Sequence, residues 1–469
     1  MELKAKSLEE NLITIDIEPL RSLVRGKIIT PTDSLFDEER KVWNAAIDRR
    51  PAFIVQCKGT ADVIHAVEFA HQHQLLITVR GGGHNVAGRS IRDNVMLIDL
   101  SKMRAVHVDP IARTATVEPG ATLGDVDHET QIYGLGFPVG INSTTGISGL
   151  TLGGGFGWIS RKWGLTVDHL LAAEVITVDG KRLMCSEKSH QDLFWALRGG
   201  GGNFGIITKY FFRLSPVGPK VLTGMIIYSI DDLKGVMQHY CKVCRDSPEE
   251  LCVCAVIRHA PAFDFLDPRY NDSMMIMFVY LYCGDIQEGQ KVEERLFNYG
   301  KPLGRGPGPD RFLQCQRGFD FLFTPGFRNY WKSHNFKEIP DGMIDVIVKH
   351  ASELPSKDTE VLIIPMGGRT TQIDENSTAY PHRQAQFIMN LHTRWDTSDK
   401  DAPCIQWARD FFEALTPFAM SGTYVNFISE GDESTRDAYG PNVRRLAEIK
   451  AKYDPHNVLR SNINISPQS

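Results

Sequence analysis

Three glycine clusters in the first 205 residues constrain this chain more than any other feature: Gly81 to Gly83, Gly153 to Gly155, and Gly199 to Gly202. Glycine gives up more conformational freedom on folding than any other residue. Runs of it are expected where main chain must turn with positive φ or come very close to another group. The third cluster, "GGGNFG", formally matches the G-x-G-x-x-G dinucleotide fingerprint. That fingerprint has to follow a strand and open a helix. Here a helical stretch, "SHQDLFWALRG", precedes it and a strand, "IITKYFF", follows, so the context excludes it. Several non-helical glycine loops together present backbone N–H groups as an anion-binding nest. Three of them predict a large, elongated cofactor held mostly by main chain. The first, "VRGGGHNVAG", also carries an imidazole, His84, directly behind its glycines.

The segments around these loops alternate strands and helices. "AFIVQC", "LITVR" and "NVMLIDL" read as strands, and "TADVIHAVEFAHQHQL" as a helix with Thr60 as candidate N-cap. "ATVEPGATLGDVDHETQIYG" reads as a strand, a Pro-Gly turn and a helix capped by Thr122. "LLAAEVITVDG" and "ITKYFFRL" are strands, and "SPVGPK" is a plausible boundary. The next section is rich in strands, among them "SMMIMFVYLYCG", "TEVLIIPMGG" and "FIMNLHTRW". Helices "IPDGMIDVIVKHASEL" and "IQWARDFFEAL" alternate with them, and "KPLGRGPGPDR" reads as a surface loop. The tail is a helix stopped at Asp454-Pro455.

A net charge of -5 with scattered Lys and Arg argues against a nucleic-acid partner. No apolar run reaches the roughly 18 residues of a membrane span. The N-terminus lacks a signal-peptide core and "SPQS" carries no address. Nine cysteines, an odd number, fit reduced thiols and a cytoplasmic location. "CKVC" has redox or zinc spacing, but two i,i+3 thiols on an amphipathic helix followed by a period-2 strand, "LCVCAVI", explain it without a metal.

"VRGGGHNVAG", "GLTLGGGFGWISRKWGLTVDHLLAAEVITVDG", "LFWALRGGGGNFGI" and the ending "YVNF…AYGPNVRRLAEIKAKYDPHNVLRSNINISP" resemble the FAD-linked oxidases of the berberine-bridge-enzyme-like group. These belong to the wider vanillyl-alcohol-oxidase, or PCMH-type, flavoproteins, and the resemblance covers nearly the whole chain. It implies an α+β fold. An FAD-binding domain would comprise residues 1–215, a substrate domain with a helix-covered antiparallel sheet residues 216–420, and a returning segment residues 421–469. It also implies FAD bound covalently through His84 to the flavin 8α-methyl. Other residues implied in the flavin shell are Arg80, Gly81, Gly82, Gly83, Asn85 and Gly88. Further along the chain come Asn142, Thr144, Thr145, Gly146, Gly149, Gly154, Gly155, Gly157, Asp168, Gly205 and Ile207, then Asn426, Asn462 and Asn464. Many relatives attach the flavin a second time through a cysteine. Here "GINSTTG" places Asn142 at that position, and an amide cannot form a thioether, so a single link is expected. Thr145 falls where the family controls oxygen access, and its near-valine volume suits an oxidase.

Oxidation of an alcohol or amine needs hydride transfer to flavin N5 and a base for the heteroatom proton. By position in the family motif Tyr424 takes the base or orienting role, and period-2 spacing would put Asn426 on the same strand face. In "FIMNLHTRW", Asn390 and His392 share a face with Arg394. Asn390 stands where relatives carry Glu or Gln, so His392 is an alternative base. Tyr330 and Lys332 are expected to orient substrate, and Met366 to close the pocket. The implied partners are a small alcohol, amine or N-heterocycle and O2, reduced to H2O2. An oxidative cyclase or dehydrogenase of secondary metabolism shares the same first half-reaction. A non-catalytic flavin-holding protein and a nicotinamide-dependent flavin reductase are the readings of other kinds. Substrate identity and oligomeric state stay open.

Overall fold

The computed structural model describes residues 2–432 and 434–467. The reading of the C-terminal "SPQS" therefore extends onto residues outside the described ones. The N-terminal part is built on a four-stranded sheet in which Ile77–Arg80 and Phe53–Gln56 flank Met96–Asp99 in parallel, with Lys27–Ile29 antiparallel at the edge. The two parallel crossovers come from short apolar runs buried on both faces, as that pairing requires. The helix between the first two, Thr60–Gln72, is capped by Gly59 and not by Thr60. The Thr60 hydroxyl is instead drawn into a hydrogen bond to Glu174, 3.1 Å away. Thr122 caps Leu123–Gln131 through a full capping box with Asp125.

A second, antiparallel sheet runs Arg182–Ser186, Leu170–Ile176, Ile206–Arg213, Thr114–Val117, Val106–Asp109. Its core includes Ala173, Val175, Tyr210 and Phe212, and the C-terminal Tyr439, Leu446 and Ile463 pack into the same cluster. The helix Val443–Tyr453 ends with Asp454 as C-cap.

The middle of the chain forms one antiparallel sheet in the order Gly304–Gly306, Lys220–Ser229, Met274–Tyr282, Leu251–His259, Glu360–Pro365, Phe387–Trp395, Arg328–Phe336. Two pieces of "KPLGRGPGPDR" are short strands and not loop, because Gly304–Gly306 and Asp310–Arg311 both pair with Lys220–Ser229. Alternation divides the sheet cleanly. Val253, Ala255, Val361, Ile363, Met389 and Leu391 pack with residues of the helices Leu233–Asp246, Asp341–Ala351 and Asp401–Leu415. Cys252, Cys254, Leu362, Ile364 and Ile388 face the other way. Cys241 and Cys244 lie on the helix Leu233–Asp246, and all nine cysteines are free. Among the described residues no group of three or more His, Cys, Asp and Glu side chains could hold a metal ion, and no helix is long and apolar enough to cross a membrane.

One buried carboxyl makes stability depend on pH. Asp127, 2% exposed, accepts a hydrogen bond from Gln316 Nε2 at 3.1 Å. Burial still pushes its pKa up to about 7. An unfolded aspartate ionises near pH ~3.9. As pH rises from there to about 7 the unfolded chain releases a proton that the folded one keeps, so stability falls across that window. Asp127→Asn is expected to stabilise the protein by about 3–4 kcal/mol at pH 8 and to be near neutral at pH 4. Urea unfolding at the two pH values checks this.

Candidate active site

One long cavity of about 310 Å³ runs between the glycine loops, the C-terminal segment and the free face of the middle sheet. Main chain forms much of one wall: Gly81 to Asn85, Gly146, Gly149 and Gly157, Gly201 and Gly202, Gly205 to Ile207. The first loop leaves the C-terminal end of the parallel strand Ile77–Arg80, where open α/β sheets receive ligands. Gly82 and Gly146 sit back to back: a Cβ on Gly82 would lie 2.6 Å from the Gly146 Cα, and one on Gly146 2.6 Å from the Gly82 nitrogen. Gly83 has φ +66°. A side chain at the first is excluded by contact with backbone, and at the second it is strained. Gly82→Ala is therefore expected to part the two loops at a cost of about 1–3 kcal/mol. The flavin-to-protein absorbance ratio on titration with FAD should show affinity at least about tenfold weaker.

His84 is half-buried beneath Trp43, with ring centroids 4.4 Å apart and planes inclined by 19°. Its Nε2 lies 3.5 Å from Thr144 Oγ1. Burial pushes its pKa down to about 4, helped by the nearby His392 and Arg394. The imidazole is thus neutral at physiological pH with a nitrogen lone pair available. Asn142 is 8% exposed and its Oδ1 accepts from the Thr144 N–H at 2.9 Å and from the Thr144 hydroxyl at 2.6 Å.

Tyr424 and Asn426 do not share a strand. They belong to a 3-10 turn, Val425–Phe427 with Tyr424 at its N-cap, so period-2 reasoning does not apply there. The pair meets all the same, because Asn426 Nδ2 donates to the Tyr424 hydroxyl at 2.8 Å and the Gly155 N–H donates to it at 3.2 Å. Burial pushes the phenol up to about 12 against those two donors.

On the sheet wall, Asn390 and His392 line the cavity as alternation predicts. His392 Nδ1 is 3.3 Å from Glu360 Oε1 and Nε2 is 3.2 Å from Asn329 Oδ1. Glu360 is also held by Arg258 Nη1 at 2.7 Å. Burial opposes its charge, but the His392 hydrogen bond and Arg258 outweigh it and keep the carboxyl below its ordinary range. Burial lowers His392 as well, against the pull of Glu360. Glu360 is a site residue the sequence reading passed over. It heads the strand "EVLIIP" on the same face as Leu362 and Ile364, a signal present in the pattern.

Ten of the expected residues do not line the cavity. Tyr330 and Lys332 are on the opposite face of their strand, where both bind Asp432, at 2.6 and 3.1 Å, and face the helix Asp401–Leu415 through Arg409 and Phe412. The residue between them, Trp331, is the one on the cavity, paired in register with His392. Met366 is buried in the core and its carbonyl accepts from Arg161. Arg80 is spent on a buried pair with Asp99 at 2.8 Å and braces the loop from behind. Asp168 is paired with Arg383 at 2.6 Å and closes a turn onto the Leu165 N–H. Gly88 and Gly154 are positive-φ turn residues behind the wall. Gly155 and Thr144 touch the site only through Tyr424 and His84. Asn464 lines a neighbouring surface cleft. Asn462 is on the cavity and donates to the Gly202 carbonyl at 2.8 Å. Trp43 and Phe323 are further lining residues, in segments without a periodic signal.

The cavity suits FAD. Its walls are cradles that a Cβ would fill, and Ser90 Oγ, Trp158 Nε1, Trp331 Nε1 and Asn390 Oδ1 are buried polar atoms of lining residues with no partner in the protein. The fold and this cleft define a PCMH-type flavin-dependent oxidoreductase. Residues 51–186 match the family profile described as "FAD binding domain", and residues 423–466 the one described as "Berberine and berberine like". The chain is 32% identical over 433 residues to an FAD-linked oxidoreductase of Dictyostelium discoideum, covering 91% of each. It is 27% identical to (R)-6-hydroxynicotine oxidase of Paenarthrobacter nicotinovorans, over 95% of this chain and 97% of that one. The crystal structure of 6-hydroxy-D-nicotine oxidase from Arthrobacter nicotinovorans superposes with a TM-score of 0.84 at 25% identity, covering 97% of this chain and all of that one. The chain belongs to the berberine bridge enzyme-like family of FAD-linked oxidoreductases, enzymes that use FAD on small-molecule substrates.

Proposed function

We propose that this oxidoreductase is an oxidase that takes a hydride equivalent from a small alcohol, amine or N-heterocycle and passes the electrons to O2, giving H2O2. We further propose that its FAD is joined to the chain by one bond, at His84. FAD supplies the two-electron acceptor for that oxidation. The observation that carries the reading is His84 itself: a neutral imidazole stacked on Trp43 at the end of a glycine-built cradle. Trp43 and Thr144 limit the ring's freedom, which favours one fixed attachment geometry. Asn142 supports a single link, since its amide is engaged by Thr144 and carries no thiol. The names of the relatives, (R)-6-hydroxynicotine oxidase and tetrahydroberberine oxidase among them, support an oxidase.

In this reading Gly81 to Asn85, Gly146, Gly149, Gly205 to Ile207 and Asn462 hold the cofactor. Tyr424 orients the substrate heteroatom by donating its hydroxyl proton, because a phenol held near 12 keeps that proton. His392, with Glu360 behind its Nδ1, is the base for the departing heteroatom proton, which Nε2 takes up as the substrate group replaces its contact with Asn329 Oδ1. Tyr424→Phe is expected to lower kcat by about 100-fold while flavin content is unchanged. The function is tested by acid precipitation of the purified protein, peptide mapping of the pellet, and a screen of alcohols and amines for peroxide release. A yellow pellet with flavin on the His84 peptide and peroxide with at least one substrate are expected. A yellow supernatant over a white pellet would refute the covalent link, and flavin bleaching without O2 consumption would refute the oxidase.

A further inference from the structure

The sheet wall of the cavity is nearly without free polar groups. Cys252, Cys254, Leu362 and Ile364 make up most of its floor, faced by Phe156 and Trp158 from the glycine-rich segment. Neither Glu360 nor His392 on the wall offers a free negative charge to a cation. Both Glu360 oxygens are engaged, by His392 and Arg258, and both His392 nitrogens face Glu360 and Asn329. Two groups on this wall are unpaired: the Trp331 indole N–H, a donor only, and the Asn390 amide, which can both donate and accept. Asn390 is 2% exposed, its Oδ1 has no partner, and its amide forms no hydrogen bond with any described residue. A buried amide left unpaired is destabilising, so it is a strong demand for one polar group on whatever binds. On the opposite side, the Tyr424 hydroxyl has accepted two hydrogen bonds and has its own proton left to donate. Charge points the same way. Arg258 neutralises Glu360, and Arg394, 2% exposed, has no carboxylate within ion-pair distance among the described residues. The site therefore has no spare anion to receive a cation.

We propose that the substrate of this site is an uncharged, mainly apolar ring compound carrying one hydroxyl or one neutral ring or aryl nitrogen that meets Asn390 and Tyr424, and that polyhydroxylated sugars and cationic amines are excluded. This rests on the cavity being the substrate site of the proposed oxidase. A sugar would bury several hydroxyls against thiols and aliphatic side chains, each left without a partner. A site built around one hydrogen-bonding group rejects analogues that lack it more strongly than it rejects a change of size.

The test uses the FAD-loaded protein under anaerobic conditions and reads the shift of the flavin absorbance bands on adding benzyl alcohol, 2-naphthalenemethanol, toluene, D-glucose or benzyltrimethylammonium. The aromatic alcohols are expected to shift the spectrum, with benzyl alcohol binding at least about tenfold more tightly than toluene. D-glucose and the quaternary ammonium should leave it unchanged. Asn390→Leu should reduce the alcohol-over-toluene preference about tenfold. If leucine impairs folding, Asn390→Ser should reduce it by a smaller factor. Binding of D-glucose or the cation as tight as that of benzyl alcohol would overturn the proposal. So would no shift with either alcohol, or an unchanged preference in the variants. Because binding precedes electron transfer, alcohols that shift the spectrum but neither bleach the flavin nor release peroxide once air is admitted would speak against the oxidase and leave this inference standing.

Discussion

Acid precipitation of His84→Ala protein loaded with FAD is expected to give a colourless pellet and a yellow supernatant, against a yellow pellet for the parent chain. The effect is all or none, because no second attachment is available: Asn142 is an amide, and the cavity's thiols, Cys252 and Cys254, lie on the middle sheet away from the loop. The variant should still bind FAD. The glycine cradle, with Gly82 against Gly146 and the Arg80–Asp99 brace behind it, does not depend on the imidazole. Removing a covalent imidazole is also expected to lower the flavin potential and slow reduction by substrate, which stopped-flow bleaching would read. If the His84→Ala pellet stays yellow, the attachment is elsewhere and the role of His84 fails.

The second large effect is structural and lies far from the chemistry. Lys450 Nζ is wholly buried and donates to three acceptors: the Asn203 carbonyl at 2.8 Å, the Leu459 carbonyl at 3.0 Å and Asp454 Oδ2 at 2.5 Å. It thus ties the third glycine loop to the C-terminal segment that brings Leu459 and Asn462 to the cavity. Lys450→Met leaves Asp454 buried with only the Val458 and Leu459 N–H groups for partners. The expected cost is about 3–5 kcal/mol. Thermal unfolding of the apoprotein should show it, together with weaker FAD retention. Asp454→Asn in the same chain should recover part of the loss, since no charge is then stranded. A Lys450→Met protein as stable as the parent would show that this strut carries no load.

How far the sequence was legible depends on the range of the interaction each residue makes. The capping box of Thr122, the helical thiols Cys241 and Cys244 and the strand–loop order around Gly81 to Gly83 are set within a few residues, and local rules recover them. Where a local rule met a competing partner it failed. Thr60 yields the cap to Gly59 while its hydroxyl binds Glu174, 114 residues away. The glycine clusters announced a main-chain cradle, yet Gly82 needs its missing side chain because of Gly146, and that partner is invisible in one dimension.

The sequence alone determined the three glycine loops with His84 behind the first and the strand face bearing Asn390 and His392, while its likeness to a flavoprotein family carried the class; the turn at Tyr424, expected as strand, was not legible. The loops and the strand face rest on residue type and on periodicity within a single element, and the roles of His84 and Tyr424 on the family motifs. Only the tertiary structure decided which side of a strand meets the cavity when both sides carry rings and charges. Tyr330, Trp331 and Lys332 alternate, and it is the register of Trp331 with His392 that turns Trp331 inward and gives its neighbours to Asp432. It likewise decided that Glu360 is neutralised by Arg258, that Arg80 and Asp168 are braces, and that Asn390 and Trp331 keep unpaired polar atoms on the sheet wall. Pairing between strands and the partnering of buried charges are long-range choices, fixed by packing in three dimensions and not by any spacing along the chain.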